Sequence, residues 1–423
     1  MFKVFANAWK IPELRKKILY TLLLIVVFRF GSAIPVPFIK AEVLKELVSS
    51  GDSLFSMFNI ISGGAFSQAT IFAMGITPYI NSSIIMQLLT VAIPALERKA
   101  KEGMEGRKFI AQITRYVTVI LAFIQGTGMY FGLQGAIESK SVLSYFVVVL
   151  TLTAGTAFLM WLGEQINEKG IGNGISLIIF SGIVAGFPSM INTFIELNKS
   201  GTLNIFTTLI ILLITLACIT VVVLMNDAER RIPVQYAKRV VGRKMYGGQS
   251  THIPIKVAMA GVMPIIFAVS IISFPATIAQ LAGVQAGDPG FWGWFLKVFS
   301  QGSVVYIIIY FLLIIFFTFF YTEMQYNPIE MANNMKQNGG FIPGIRPGKP
   351  TSDFIKNILN KITLVGAVFI ALIAVLPMFL TNAVGANIAF GGTSLLIVVG
   401  VALETVKQLE SQMLMRHYKG FLQ

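Results

Sequence analysis

Long apolar stretches alternate with short polar segments along the chain. A transmembrane helix needs about 20 mostly apolar residues, and ten stretches come close to that length. We number them as spans 1 to 10, and they cover residues 18–34, 67–93, 110–133, 143–163, 174–191, 204–225, 256–282, 303–322, 358–380 and 393–406. The pattern predicts an all-α membrane protein with ten transmembrane helices.

The positions of Lys and Arg predict how the spans are oriented. With a cytoplasmic N-terminus, 26 of the 33 Lys and Arg residues fall in cytoplasmic segments and 5 on the opposite side. Cytoplasmic loops carry an excess of these residues, so we expect a multi-pass protein with both termini cytoplasmic. The remaining two, Arg29 and Arg115, lie within spans. For both we expect snorkelling towards the interface or a hydrogen bond to a carbonyl.

Ten spans divide into two halves of five. Because five is an odd number, homologous halves would have opposite orientations in the membrane. Residues 75–80 (GITPYI) and 261–266 (GVMPII) share the pattern G-x-x-P-x-I, each in the second span of its half. We therefore expect an inverted repeat with residues 1–191 and 204–423 as its halves. Chance is the alternative, since Gly and Pro are common in membrane helices.

The composition disfavours several classes of membrane protein. Hydrophobic residues make up 55% of the chain and charged residues 12%, against about 25% charged in soluble domains. All 19 acidic residues fall in loops or at span ends, and both histidines lie in cytoplasmic segments. Coupled transporters usually carry an intramembrane carboxylate or histidine, and an intramembrane enzyme needs catalytic groups in the bilayer. The sequence therefore predicts no catalytic residue, metal site or cofactor.

Three segments do not fit simple spans. Residues 53–62 (SLFSMFNIIS) are apolar but would reach only about 15 Å as a helix. They would lie flat on the membrane or fold back into a protein-lined cavity. The loops at 226–256 and 323–357 are basic, and strand-like stretches in the first predict a hairpin. Their charge either marks topology and attracts lipid headgroups or docks on RNA phosphates or an acidic protein face.

From about residue 14 to about residue 415, the chain resembles the SecY family, the channel subunits of the bacterial Sec protein translocase. The resemblance rests on motifs at residues 30–37 (FGSAIPVP), 75–88 (GITPYINSSIIMQL), 161–177 (WLGEQINEKGIGNGISL), 235–239 (QYAKR), 249–252 (QSTH), 343–348 and 391–399 (GGTSLLIVV). It implies a clamshell of two inverted five-helix halves, hinged between spans 5 and 6, with an hourglass channel between them. Such a channel passes unfolded secretory polypeptides across the bacterial plasma (inner) membrane and releases hydrophobic segments sideways into lipid.

The resemblance also implies site residues. A pore ring would consist of Ile76, Ile80, Ile179, Ile266 and Ile397. An apolar ring conforms to side chains of many sizes and closes by dewetting when empty, and Pro78 and Pro264 would distort the helices beside it. A plug within residues 53–62 would contribute Leu54, Phe55, Met57, Phe58, Ile60 and Ile61. A lateral gate between spans 2 and 7 would contain Asn81, Gln87, Thr90, Ser273 and Thr277. Partner docking would use Lys238, Arg239, Arg243, Lys244 and Arg346.

The implied partners are the small membrane subunits SecE and SecG, the SecA ATPase motor, the ribosome, the lipid bilayer, and substrates that carry signal sequences. Energy would come from the motor or the ribosome. The competing interpretation is an inverted-repeat secondary transporter of a small solute, which predicts a polar site at mid-membrane. An intramembrane enzyme is a third class, and the catalytic residues that it needs are missing from the spans.

Overall fold

The computed structural model describes residues 2–49, 59, 62–200, 204–236, 239–241, 244–246, 250–281, 290–299, 303–384 and 392–419. A helix lies at the position of each predicted span, and we name each helix after its span. In order, these helices are Pro12–Gly31, Thr77–Ala92, Met104–Gly132, Val142–Lys169, Gly174–Ala185 continued by Phe187–Lys199, Ile205–Asp227, Met263–Leu281, Val304–Gln325, Lys349–Val384 and Gly392–Lys419. Shorter helices are Phe2–Trp9, Ala41–Ser49, Pro94–Ala100, Phe291–Val298 and Pro328–Gln337, with a 3-10 turn at Gln134–Ala136.

Length and apolarity identify the helices that suit a membrane. Within the described residues, six helices are long and apolar enough to cross a bilayer. A seventh is added if Thr77–Ala92 and Pro94–Ala100, bent by 105° at their junction, count as one span. The chain is therefore a helical, multi-pass membrane protein, and the count of ten spans stays a prediction.

Spans 2 and 7 differ from their predictions in the same way. The span-2 helix begins only at Thr77, after a series of turns from 62 to 76, and the span-7 helix begins at Met263. Before each helix stands a glycine in the left-handed region, Gly75 with φ +57° and Gly261 with φ +60°. A proline is tolerated in the first helical turn because the N–H there has no intrahelical acceptor. Pro78 and Pro264 therefore belong to helix starts, and the expectation that they distort continuous helices was wrong.

The turns that precede the span-2 helix are buried in protein. Phe66 and Phe72 are among the most buried side chains in the molecule. Thr70 forms an isolated β-bridge with Pro35. Non-helical backbone is tolerated at membrane depth only where protein or water surrounds it. The packing of these residues explains how the first ten residues of the predicted span can lack a helix.

The two basic loops join in one small sheet. Strand β1 (Glu229–Tyr236) pairs antiparallel with β4 (Ser250–Lys256), and β5 (Gly340–Phe341) pairs with the other edge of β1. Two further strands, β2 (Arg239–Val241) and β3 (Lys244–Tyr246), form a separate antiparallel pair. The predicted hairpin is confirmed, and the all-α architecture carries this sheet on its loops.

A hydrophobic cluster anchors the sheet to the membrane helices. The alternating residues Ile232 and Val234 of β1 are buried, as expected for one face of a strand, and they pack with Ile255 and Ile342. Leu359, near the start of the long span-9 helix, belongs to the same cluster. Both basic loops are thus held against one end of the helical body.

Span 7 lies at the centre of the contacts between the two predicted halves. Its helix packs against spans 2 and 3 on one side and span 8 on the other. Span 10 contacts spans 5 and 6. The two ends of the chain also meet, since Lys17 Nζ donates to Gln412 Oε1 at 3.4 Å and Ala8 packs with Leu409. These contacts place the first and last helices at the same face of the molecule.

Candidate functional site

The five isoleucines of the predicted ring come together in the largest apolar cluster. They lie on spans 2, 5, 7 and 10, and each is at most 7% exposed. Ile76 caps the start of the span-2 helix, one turn before Ile80. The cluster offers aliphatic surface where helices of both halves meet, so it can exclude water without a strong polar contact. Whether these residues form the constriction of a channel stays a prediction.

The predicted plug side chains lie outside the described residues, which include only Asn59 and Ser62 of the segment 53–62. Asn59 accepts hydrogen bonds from two backbone N–H groups beyond it. Its side-chain oxygen accepts from Ser67 at 2.9 Å, and its carbonyl accepts from Gly64 at 2.8 Å. The end of the plug segment is thereby tied to the turns that lead into span 2.

A glycine contact fixes the same turns against span 5. Gly63 has φ +65°, and a Cβ added to it would overlap the Cα of Gly182 and lie 2.9 Å from the carbonyl oxygen of that residue. Gly182 stands next to Ile183 and one turn from Ile179, both of which belong to the large apolar cluster. The backbone after the plug segment therefore touches span 5 beside the predicted ring. In the sequence, the Gly63-Gly64 pair indicates a flexible position. It does not show that Gly182 of span 5 lies against it.

The predicted gate residues make several of their hydrogen bonds within their own helices. Thr90 donates to the Met86 carbonyl at 2.7 Å, and Ser273 donates to the Ser270 carbonyl at 2.9 Å. Asn81 is buried on span 2, and the side chain of Thr277 lies outside the described residues. These two bonds lie within single helices, so the contribution of Thr90 and Ser273 to a lateral gate stays a prediction.

A hydrogen bond joins span 2 to span 8 beside the predicted gate, and we call the contact of span 2 with spans 7 and 8 the seam. The Tyr321 phenol donates to Gln87 Oε1 at 2.9 Å. The Tyr321 ring packs edge-on against Phe267 of span 7, with centroids 5.0 Å apart. Sequence reasoning selected Gln87 but missed Tyr321, because the two residues are 234 positions apart and no local pattern links them.

Next to this bond is a cavity of about 590 Å³. Gln87 and Tyr321 line it, together with Lys256, Glu404 and Lys407. Lys407 binds the Asn226 carbonyl at 2.8 Å and the Asp227 carboxylate at 2.7 Å, which ties span 10 to span 6. Since Lys256 ends β4, the cavity opens towards the face that carries the basic sheet.

Of the two arginines within predicted spans, Arg115 binds a carboxylate rather than the carbonyl that we expected, and snorkelling of either side chain stays a prediction. Arg115 Nε of span 3 pairs with Glu164 Oε1 of span 4 at 2.7 Å, so it binds a carboxylate on a neighbouring helix. The Arg29 guanidinium stands 5.8 Å from the centre of the Phe28 ring. The sequence placed Glu164 at the end of span 4, but only the packing of spans 3 and 4 shows that Arg115 reaches it.

The predicted docking residues are described in part. Arg239 begins β2 opposite Tyr246, and Lys244 begins β3 opposite Val241. Lys238 and Arg243 lie outside the described residues. Arg346 is exposed in the turn after β5, and its carbonyl accepts a hydrogen bond from Thr351 at 2.8 Å. Arg239 and Lys244 thus belong to the separate β2–β3 pair, and Arg346 follows the strand that joins the three-stranded sheet.

Comparison of the sequence with known proteins identifies relatives along the whole chain. The SecY family profile matches residues 70–406. The protein translocase subunit SecY of Halalkalibacterium halodurans is 49% identical, and that of Streptomyces galbus is 47% identical. Both similarities cover 100% of this chain and 100% of the relative.

Comparison of the fold with solved structures leads to channels. A structure described as a protein conducting channel superposes with a TM-score of 0.67 at 20% identity, over 94% of this chain and 92% of the other. Sec61 in the canine ribosome-channel complex from the endoplasmic reticulum gives a TM-score of 0.63 at 18% identity, with the same coverage. At such identities the likeness concerns the fold.

Proposed function

Since this chain belongs to the SecY family, we propose that it is the protein-conducting channel subunit of a translocase in a bacterial plasma membrane. It passes unfolded secretory polypeptides across the membrane and releases hydrophobic segments sideways into lipid. The chain is a transport protein and not an enzyme. The observation that carries the proposal is the cluster of buried isoleucines, which brings Ile76, Ile80, Ile179, Ile266 and Ile397 together between the two halves.

The apolar character of this cluster suits a channel for many sequences. Isoleucine side chains adapt to substrate side chains of different size and form no hydrogen bond that would retain a particular segment. When the channel is empty, such a constriction closes by dewetting and resists ion flow. A transporter of one small solute would need a few placed polar groups. The five predicted ring positions carry none, and the buried polar side chains on the same helices, among them Asn81, Ser176 and Ser270, are uncharged.

The two halves and the plug complete the proposed channel. Residues 1–191 and 204–423 are the inverted halves, and the repeated geometry before spans 2 and 7 supports this division, with a left-handed glycine three positions before each proline. We place the plug at residues 53–62, because the backbone that follows it touches span 5 beside Ile179. The lateral gate is the seam where span 7 meets spans 2 and 3.

The partners and the orientation follow from the basic face. We place both termini and the sheet in the cytoplasm, because this face carries most of the Lys and Arg residues. There the loops 226–256 and 323–357 dock the SecA motor or the ribosome, and SecE and SecG are the expected membrane partners. The canine Sec61 channel, which shares the fold, is part of a ribosome complex.

Reconstituted translocation tests the proposed function. The chain is placed in lipid vesicles with SecE and SecG, and SecA, ATP and a secretory precursor are added. We expect the precursor to become protected from added protease, because it enters the vesicle lumen. Protection should require ATP and the signal sequence of the precursor. A correctly inserted complex that protects no precursor, while a small solute is taken up saturably, would support the transporter interpretation instead.

Reversing the charge of Arg346 tests the docking surface in the same vesicles. Arg346→Glu should lower SecA-driven translocation at least several-fold, because it turns an attractive contact with an acidic partner into a repulsive one. The matched control is Arg107→Glu, the same charge change at an exposed position near the start of the span-3 helix, outside both docking loops, which should translocate normally. If both variants translocate at the rate of the unaltered chain, Arg346 has no docking role.

A further inference from the structure

We propose that Tyr321 is the clasp of the lateral gate and that its bond to Gln87 helps to set how hydrophobic a segment must be to open the seam. The inference rests on the proposed function and adds to it a residue on span 8. It starts from the hydrogen bond of 2.9 Å between the Tyr321 hydroxyl and Gln87 Oε1.

The geometry of Gln87 directs its amide oxygen away from its own helix. Its amide nitrogen donates to Ser83 Oγ, one turn earlier on span 2, at 3.3 Å. With the nitrogen held there, the oxygen is left to accept from Tyr321. The Gln87 amide is therefore oriented before Tyr321 binds it. Less side-chain entropy is then lost when the bond between spans 2 and 8 forms.

The ring of Tyr321 adds a second contact on the opposite side of the seam. It packs edge-on against Phe267 of span 7, and Phe267 also contacts Phe317 of span 8 edge-on at 5.8 Å. Tyr321 thus touches spans 2 and 7 at once. When spans 2 and 7 separate, Tyr321 cannot keep both contacts, so gate opening breaks at least one of them.

The clasp is accessible from the cytoplasmic side. Tyr321 and Gln87 both line the cavity of about 590 Å³ that opens towards the basic sheet. An apolar segment that enters from this cavity can replace the ring contact with Phe267. It cannot replace the hydrogen bond, because its side chains carry no acceptor. The area that the segment buries must therefore offset the lost bond, which sets a threshold on its hydrophobicity.

Export of a secreted reporter with a weakened signal sequence tests the clasp. Cells that depend on this chain make the reporter with either an intact signal sequence or one whose apolar core is shortened. Interhelical hydrogen bonds in membranes average about 0.6 kcal/mol, which corresponds to a roughly threefold change in the open fraction. We divide the export of the reporter with the weakened signal sequence by the export of the reporter with the intact one. Tyr321→Phe and Gln87→Met should each raise this export ratio about threefold. The double variant should rise no further, since both changes remove the same bond.

Tyr310→Phe is the matched control. It removes a buried hydroxyl from the same helix. This hydroxyl has no hydrogen-bond partner among the described residues, so the export ratio should not change. A merely structural effect of Tyr321→Phe would lower the amount of the chain and the export of both reporters. An unchanged ratio, or a double variant with twice the effect in free energy, would overturn the clasp. Failure of the unaltered chain to export the intact reporter would instead reject the proposed function.

Discussion

Single side chains account for how the proposed channel would close without selecting a substrate. The residues of the predicted ring are all isoleucine, and each is almost fully buried in one large apolar cluster. A carboxylate at this depth would bind basic segments and favour cation entry, and burial of its charge would be costly. In the proposed channel, aliphatic contacts would close the empty ring, and similar contacts to the substrate would replace them when a polypeptide passes.

Gly63 offers a test of the closed state at the residue scale. A methyl group on Gly63 would overlap the backbone of Gly182, so Gly63→Ala should push the plug-side backbone off span 5. If the displacement costs about 2 kcal/mol, the fraction of leaking channels should rise roughly 30-fold. Ion conductance of resting channels in planar bilayers measures this fraction.

The adjacent glycine supplies the control. Gly64 also has a positive φ, of +87°, but a Cβ there would meet nothing within 4 Å. Gly64→Ala therefore shares the backbone strain of about 1 kcal/mol without the overlap, and its conductance should stay close to that of the unaltered chain. Equal conductance of the two alanine variants would show that contact with Gly182 does not hold the seal.

At the scale of secondary-structure elements, the start of a helix is as important as its length. Spans 2 and 7 begin their helices several residues after the start of the apolar stretch, beside Ile76 and Ile266, and each follows a glycine with positive φ. The hydrophobic pattern predicted the positions of the spans, because burial in lipid and burial in protein both select apolar residues. It could not separate a helix from buried turns, since residues 62 to 76 contain no charged residue and eight of the fifteen are hydrophobic.

The Arg115–Glu164 pair is expected to hold spans 3 and 4 as one unit beside the gate. Arg115→Gln leaves the Glu164 side chain, which is 19% exposed, without its cation. The Arg115 side chain is itself 44% exposed, so the pair is only partly desolvated, and we expect a loss of about 1 kcal/mol, between the values for exposed and buried pairs. The midpoint of thermal unfolding in detergent should fall measurably, and the double variant Arg115→Gln/Glu164→Gln should recover part of the loss.

A pair at the protein surface serves as the comparison. Lys99 and Glu102 form an ion pair at 2.7 Å, with side chains that are 44% and 49% exposed. Exposed pairs contribute little because water screens them, so Lys99→Gln should leave the unfolding midpoint almost unchanged. An Arg115→Gln variant as stable as Lys99→Gln would mean that the pair does not stabilise the contact between spans 3 and 4.

At the scale of the whole molecule, the sequence predicted the features that repeat along the chain. The alternation of apolar and basic segments predicted the spans and their orientation. The family motifs predicted which isoleucines belong to the ring. Contacts between distant segments could not be predicted. Tyr321 reaches Gln87, β5 joins β1 from another loop, and Gly63 touches Gly182. Each depends on how the halves pack, which no local pattern encodes.

In the proposed channel, a polypeptide passes between the halves at the buried isoleucines. Crosslinking to a stalled secretory chain tests this path. In a Cys218→Ser background, single cysteines replace Ile80, Ile179 or, as a control, Leu212, which is 62% exposed on the outer surface of span 6. We predict crosslinks from the first two positions and none from the third. Crosslinks at neither Ile80 nor Ile179, in membranes where the substrate still translocates, would contradict the account.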